Sequence, residues 1–139
     1  MPNYGSLERP IRVVVADDSK SIRDVVAEVL APEFQLVGSI GDGRSLVDAV
    51  TKLRPDIAIV DIAMPIMDGI EAVNEIRRRG STTKIVFLTV NEDRDFVDAA
   101  FEAGGNCYVV KRKMASDLMI GMRAALADGT FISSYEYVD

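Results

Sequence analysis

The chain has 139 residues, 48% of them hydrophobic and 27% charged, which is typical of one globular domain that buries about two-thirds of its unfolded surface. No apolar run approaches the roughly 20 residues that cross a bilayer, and no export signal is recognisable, so we expect a cytoplasmic protein without a membrane segment. A net charge of −6 disfavours direct binding of nucleic acid, and the absence of histidine excludes imidazole catalysis, which leaves carboxylates, hydroxyls, lysine and a hard cation.

Five short apolar runs predict buried strands, and they alternate with five segments whose apolar residues have helical spacing. The predicted strands are Ile11–Ala16, Phe34–Ile40, Asp56–Val60, Lys84–Thr89 and Cys107–Val110. The predicted helices are Lys20–Ala31, Arg44–Leu53, Ile70–Arg79, Asp93–Ala103 and Ser116–Ala127. Because strand–helix–strand units cross over with one hand, this alternation predicts an α/β domain, a single five-stranded parallel sheet, doubly wound with helices on both faces.

The predicted domain spans residues 11–128. Residues 1–10 contain two prolines and a glycine without any period, so we expect a flexible leader there. Residues 129–139 lack helical periodicity and are interpreted as a tail or the start of a linker. In the first helix, the inward positions are expected to be Ile22, Val25, Val26, Val29 and Leu30.

Polar residues follow the strands at one edge of the predicted sheet. Asp17 and Asp18 come after the first strand, Asp61 after the third, Thr89 closes the fourth, and Lys111 follows the fifth. Three neighbouring carboxylates repel one another unless a cation compensates them, and a carboxylate-rich oxygen site suits Mg²⁺. A lysine and a hydroxyl beside them form a site for a phosphoryl group, which a carboxylate can accept as an aspartyl phosphate.

Each of these residues also has an ordinary structural explanation. The pair Asp17-Asp18 is suited to capping a helix, and Asp61 to a turn. Taken singly, Thr89 could simply end a strand, and Lys111 could be a solvated surface residue. Their joint placement at one sheet edge is what favours a functional site.

The same positions carry a set of motifs that together resemble a known family. These motifs are Asp17-Asp18, Asp61 followed by Met64-Pro65 and Met67-Asp68-Gly69, then Thr89, and finally Tyr108-Val109-Val110-Lys111. With them, residues 11–127 resemble the receiver domain of response regulators, the phosphate-accepting module of two-component signalling. The resemblance implies a flavodoxin-like fold.

The resemblance also implies a metal site and a phosphorylation site. Asp61 would be the phosphorylated nucleophile. Asp18 would bind Mg²⁺ directly and Asp17 mainly through water, and the backbone carbonyl of Ala63 would complete the cation site. The domain would catalyse only its own phosphorylation and dephosphorylation, so it is not expected to be an enzyme acting on other substrates.

Three further residues acquire roles from the resemblance. Thr89 and Lys111 would hold the phosphoryl oxygens, and Tyr108 would turn inward when Thr89 is drawn to the phosphate. That movement would change the face made by the fourth helix, the fifth strand and the fifth helix. The implied partner is a sensor histidine kinase, with a homodimer on phosphorylation as a further expectation.

The chain departs from the family pattern beside two of these residues. Arg112 follows Lys111 where the family usually has proline, so a cis peptide bond is not expected and the direction of Lys111 is left open. Val90, after Thr89, is bulkier than the usual alanine or glycine. We expect Val90 to slow the approach of water, or of small phosphate donors, to the site.

Two rival functions are weighed against this interpretation. A phosphohydrolase of the haloacid-dehalogenase type needs a second aspartate two residues after the nucleophile, where this chain has Ala63. A phosphorylation-independent interaction module is the other alternative. Residues 129–133 resemble the junction before a helix-turn-helix output domain, which favours the receiver part of a transcriptional regulator over a stand-alone receiver.

Overall fold

In a computed structural model, which describes residues 9–133, the chain forms one parallel sheet with helices on both faces. The strands are β1 (Ile11–Ala16), β2 (Phe34–Ile40), β3 (Ile57–Val60), β4 (Lys84–Thr89), β5 (Cys107–Val110) and β6 (Phe131–Ile132). The helices are α1 (Lys20–Val29), α2 (Gly43–Leu53), α3 (Gly69–Arg78), α4 (Arg94–Glu102) and α5 (Met114–Leu126). The strand order across the sheet is β2-β1-β3-β4-β5-β6.

The predicted parallel sheet with five helices is confirmed, and it includes a sixth strand that the sequence does not predict. This strand, β6, lies parallel to β5, with Phe131 opposite Cys107 and Ile132 opposite Tyr108. Two residues are too few to show a period, which is why the sequence favours a tail there. Residues 1–8 of the predicted leader and 134–139 of the predicted tail lie outside the described residues, and the domain bounds stay predictions.

The core consists of two layers, one on each face of the sheet. Successive residues of β1 point to opposite faces, as the pleat of a strand requires. Val13 packs in the layer that contains Leu118 of α5, whereas Val14 packs in the layer that contains Leu46 of α2 and Val73 of α3. All of these side chains are fully buried. Burial on both faces explains why β1, β3, β4 and β5 contain continuous apolar runs in the sequence.

Only one row of α1 packs on the sheet. Val26 is fully buried, and Ile22 and Leu30 pack against the same layer at a spacing of four residues. The prediction that Val25 and Val29 face the core is wrong, since they are 38% and 37% exposed. Each precedes a residue of the packed row and therefore lies about 100° around the helix from it.

The strand register brings the ends of β1, β3, β4 and β5 to one edge. Ala16 pairs with Val60 at the ends of β1 and β3, and Thr89 pairs with Val110 at the ends of β4 and β5. The residues that follow these strands consequently leave the sheet side by side. Within residues 9–133, no helix is long and apolar enough to cross a membrane.

Candidate functional site

Three carboxylates meet at the edge where β1 and β3 end. One oxygen each of Asp17, Asp18 and Asp61 lies within 4.8 Å of the other two. Asp17 is 2% and Asp61 5% exposed, whereas Asp18 is exposed. The cluster predicted from the strand ends is therefore brought together, with two acids held away from water and one open to it.

The ammonium of Lys111 joins this cluster from the turn after β5. Its Nζ lies 2.7 Å from Asp17 Oδ2 and 3.1 Å from Asp61 Oδ2, and the side chain is only 16% exposed. Lys111 is therefore not a solvated surface lysine. The described residues contain no cis peptide bond, and Lys111 begins a short 3₁₀ helix, residues 111–113, so the chain directs this lysine at the acids with Arg112 in place of proline.

Burial and charge pull the ionisation of this cluster in opposite directions. Burial raises the pKa of Asp61, and the charge of Asp17 adds to that rise, while Lys111 and the Thr89 hydroxyl lower it; the net shift is upward. Burial by itself lowers the pKa of Lys111, but pairing with Asp17 and Asp61 outweighs it and raises the pKa. One ammonium does not compensate three carboxylates, so the site favours a further cation.

The start of α1 leaves Asp18 available to the site. Ser19 is the N-cap of α1, since its hydroxyl accepts a hydrogen bond from the Ile22 N–H at 3.3 Å. Asp17 Oδ1 accepts the Ser19 N–H at 2.9 Å, which fixes the loop between β1 and α1. The alternative in which Asp17 and Asp18 serve as helix caps is thus wrong, because Ser19 fills that role.

Asp61 is held from both sides where it leaves β3. Its N–H donates to the Ala16 carbonyl at 2.9 Å, and its Oδ1 accepts the Ile62 N–H at 2.8 Å. The following loop includes Ala63, which is exposed. The assignment of the Ala63 carbonyl to the cation site stays a prediction.

Thr89, at the end of β4, is fully buried and contacts a residue that the sequence does not single out. Its Oγ1 accepts hydrogen bonds from Asn91, 3.2 Å from Nδ2 and 3.4 Å from the backbone nitrogen. The position of an asparagine two residues after a strand-closing threonine is a turn signal that could have identified Asn91.

Tyr108 of β5, to which the resemblance assigns the role of a switch, is fully buried. Its hydroxyl donates to the Asn91 carbonyl at 2.8 Å. Tyr108 therefore occupies an inward position and is hydrogen-bonded to the loop after β4. Its role as a switch is untested and stays a prediction.

An ion pair on the protein surface also contacts the loop after β4. Arg112 donates to Glu92 through two parallel contacts, Nε to Oε2 at 2.7 Å and Nη2 to Oε1 at 2.8 Å. The partners are 20 positions apart in the chain, so no local pattern reveals the pair. The residue that replaces the usual proline thus connects the turn carrying Lys111 to the loop carrying Asn91.

The family model of the response regulator receiver domain matches residues 13–122. The chain belongs to this family. The strand-end acids, the threonine and the lysine described above fall within the matched region.

Known transcriptional regulatory proteins are similar to most of this chain. It is 38% identical over 128 residues to the transcriptional regulatory protein PdtaR of Mycobacterium tuberculosis, covering 91% of this chain and 62% of that protein. It is 31% identical over 127 residues to the transcriptional regulatory protein DegU of Brevibacillus brevis, covering 90% and 54%. The chain thus spans a little over half the length of these relatives.

Solved structures agree with this assignment. A LuxR-family two-component response regulator from Aurantimonas superposes with a TM-score of 0.85 at 27% identity, covering 89% of this chain and 90% of that one. The response regulator domain of Thermotoga maritima CheB superposes with a TM-score of 0.80 at 28% identity, covering 86% and 98%.

The acidic cluster of this receiver domain fits a magnesium ion. Mg²⁺ takes oxygen ligands and commonly only one or two carboxylates beside water, and here an exposed acid adjoins two buried ones. No imidazole or thiolate competes for a softer metal, because the chain has no histidine and Cys107 is buried in β5.

Proposed function

We propose that Asp61 of this receiver domain accepts a phosphoryl group, in a Mg²⁺-dependent reaction, from the phosphohistidine of a sensor histidine kinase. The observation that carries the proposal is the meeting of Lys111 Nζ with Asp61 Oδ2 at 3.1 Å inside a cluster of three carboxylates. A nucleophilic acid beside an ammonium and a cation site is the arrangement that transfer of a dianionic group requires.

The transfer itself forms one bond and breaks one. A carboxylate oxygen of Asp61 attacks the phosphorus, and the bond from phosphorus to the imidazole nitrogen of the donor breaks as the new P–O bond forms. Lys111 holds a phosphoryl oxygen with its ammonium, and Thr89 donates its hydroxyl to another. Because both groups are preorganised and little exposed, their charge and dipole act on the transferring group with weak screening.

Asp17, Asp18 and Asp61, with the Ala63 carbonyl, would hold the magnesium ion. When bound, it neutralises charge on the phosphoryl oxygens and on the acids around them. Burial raises the pKa of Asp61, and added positive charge opposes that shift. The domain acts on its own aspartate and on no other substrate.

Phosphorylation of Asp61 would change the conformation of the loop after β4. Thr89, Asn91 and Tyr108 are connected by hydrogen bonds, and a movement of the Thr89 side chain toward a phosphoryl oxygen would weaken the bonds that its oxygen accepts from Asn91. That loop adjoins α4, whose surface would change contacts with a partner. By analogy with the relatives named as transcriptional regulators, we assign the outcome to control of transcription by an output region, with homodimer formation on phosphorylation.

The test is to incubate the protein with phosphoramidate, with and without Mg²⁺, and to record its intact mass. We expect one phosphate group to be added only with Mg²⁺, and none to Asp61→Asn. The matched control is Asp48→Asn, which makes the same change at an exposed position of α2 and should be phosphorylated like the wild type.

Two results would contradict the proposal. Equal phosphorylation of Asp61→Asn and wild type would show that the acceptor is elsewhere. A wild-type protein that takes up no phosphate from phosphoramidate and none from a panel of phosphorylated histidine kinases would favour the phosphorylation-independent interaction module.

A further inference from the structure

The residue after β6, Ser133, is fully buried in a segment that the sequence assigns to a tail. Its backbone N–H donates to the Tyr108 carbonyl at 2.9 Å, which extends the pairing of β6 with β5 by one bond. A serine without any exposed surface, at the outermost strand of the sheet, needs partners for its hydroxyl.

The Ser133 hydroxyl bridges the end of β5 and the start of α5. It accepts the Val110 N–H at 3.1 Å and donates to Asp117 Oδ2 at 2.8 Å. Asp117 lies in the first turn of α5, where the helix dipole favours a carboxylate. Ser133 therefore uses its acceptor and its donor to join two elements that are consecutive in the chain.

The segment between these two elements is the turn that carries Lys111. It comprises the 3₁₀ helix at 111–113, which has no side-chain cap at its start. Val110, directly before Lys111, is fixed by Ser133, and Asp117, one turn into α5, is fixed by the same hydroxyl. The two ends of the turn are consequently held at a set separation by one buried group.

This restraint matters because the turn lacks a proline after Lys111, the residue expected there from the resemblance to receiver domains. Arg112 stands there, and its pair with Glu92 is partly exposed, with side chains 44% and 35% accessible. Exposed ion pairs hold geometry weakly, since water screens them and both side chains lose entropy. Ser133 adds a buried restraint to the same turn.

We propose that Ser133 is a positioning residue that sets the direction in which Lys111 reaches Asp61 and the phosphoryl group. This inference rests on the proposed function. Removing the hydroxyl releases the Val110 N–H and Asp117 Oδ2, and the turn relaxes toward other partners. A displacement of an ångström in a group that orients a reaction costs up to about a hundredfold in rate, so we expect a loss of about tenfold.

The experiment compares initial rates of phosphorylation by phosphoramidate at saturating Mg²⁺, each divided by the folded fraction from circular dichroism. Ser133→Ala removes the hydroxyl, and Ser133→Cys replaces it with a slightly larger, weakly hydrogen-bonding thiol. The matched control is Thr83→Val, which removes another buried hydroxyl whose bond, to the Pro55 carbonyl at 2.9 Å, lies at the opposite edge of the sheet.

A double-mutant cycle shows whether Ser133 acts through the lysine. We expect Ser133→Ala and Ser133→Cys to slow wild type about tenfold and Thr83→Val to leave the rate unchanged. In a Lys111→Met background, whose slower rate is followed over hours, Ser133→Ala should cause no further loss, because the group being positioned is gone.

The outcomes separate this inference from the function on which it rests. An equal loss from Ser133→Ala in both backgrounds, or the same loss in Thr83→Val, would show a structural effect alone and overturn the inference. A wild-type rate in both Ser133 variants would also overturn the inference. Because these variants would still be phosphorylated, that result would leave the proposed function supported. A wild type that takes up no phosphate would overturn both.

Discussion

The ammonium of Lys111 lies 2.7 Å from Oδ2 of Asp17, a contact that reaches across the sheet edge from the end of β5 to the end of β1. Strands β3 and β4 separate these two elements, and the lysine passes Asp61 on the way, at 3.1 Å. Lys111 therefore shares its charge between two acids of the cluster that we assign to magnesium. A cation at that cluster competes with the ammonium for the same carboxylates.

Replacing Lys111 with methionine should strengthen Mg²⁺ binding while slowing phosphorylation. Loss of a positive charge a few ångströms away lowers the repulsion that a divalent cation meets, and we expect the dissociation constant to fall about tenfold. Isothermal titration calorimetry measures it. Lys84→Met is the control, because Lys84 pairs with Asp128 instead. A dissociation constant that is unchanged or higher in Lys111→Met would contradict competition.

Replacing Val90 with alanine should shorten the lifetime of the aspartyl phosphate. Val90 directly follows Thr89 and is 67% exposed, so its side chain stands in solvent beside the site and trimming it removes little packing. We expect hydrolysis to accelerate several-fold, roughly 1 kcal/mol in barrier. The lifetime is followed by intact mass after the phosphate donor is removed. Val29→Ala, on α1, provides the comparison, and equal lifetimes in Val90→Ala and wild type would disprove the effect.

Replacing Gly69 with alanine should be severely destabilising. A Cβ at Gly69 would lie 2.1 Å from the carbonyl oxygen of Asp61, and backbone there cannot move without displacing the acid. We expect the free energy of unfolding in urea to fall by at least about 3 kcal/mol. At Gly41, by contrast, the nearest atom would be 3.5 Å away on the flexible Arg23 side chain.

Gly41→Ala should accordingly change stability by less than about 0.5 kcal/mol. If the two alanine variants unfolded at the same urea concentration, the close approach of Gly69 to Asp61 would not be what requires glycine in the Asp68-Gly69 motif.

Asp56, just before β3, should make stability depend on acid. The hydrogen bonds from Arg9 lower its pKa most, burial opposes them, and the Arg12 N–H at 2.8 Å lowers it further, giving a net downward shift. A pKa lowered by folding contributes stability above the unfolded pKa, and that contribution is lost as pH falls through the folded value. Asp56→Asn should therefore cost about 1 kcal/mol near neutrality.

The pH profile distinguishes this effect from a general loss of packing. Urea unfolding of wild type and Asp56→Asn should differ near neutral pH and converge below about pH 4. Arg9→Ala should change stability in the same direction and over the same range. A difference between Asp56→Asn and wild type that persists unchanged in acid would mean that the carboxylate charge is not involved.

Local pattern predicts the strands and most of the candidate site because both depend on residues that are close in the chain. Apolar runs such as Ile57–Val60 predict a buried strand. In a parallel sheet, the residues that follow these strands lie at one edge. Asp17, Asp61 and Lys111 could be placed together in this way without coordinates. The individual contacts between the carboxylate oxygens and the lysine nitrogen could not be predicted, because they depend on side-chain rotamers.

Outside the cluster at the strand ends, several contacts between residues distant in the chain could not be predicted from local pattern. The bond from Val110 to Ser133 joins residues 23 positions apart, and the two-residue strand that carries Ser133 to its place has no sequence signature of its own. The pair of Arg112 with Glu92, 20 positions apart, belongs to the same class. Helix faces were predicted only in part, since Val25 and Val29 satisfy a helical period yet lie beside the packed row.

The amino-acid sequence by itself determined the order of strands and helices, the edge at which the acids gather and the family to which the chain belongs. The periodicity of hydrophobic residues and the placement of charged residues after strands are local properties. They can be recognised in the sequence without any knowledge of packing. Tertiary structure alone decided that Tyr108 lies inward, that Lys111 is shared between Asp17 and Asp61, and that the Ser133 hydroxyl bonds Val110 and Asp117 on either side of the turn at 111–113. Those facts depend on the close approach of segments that the chain brings together only after the sheet has formed.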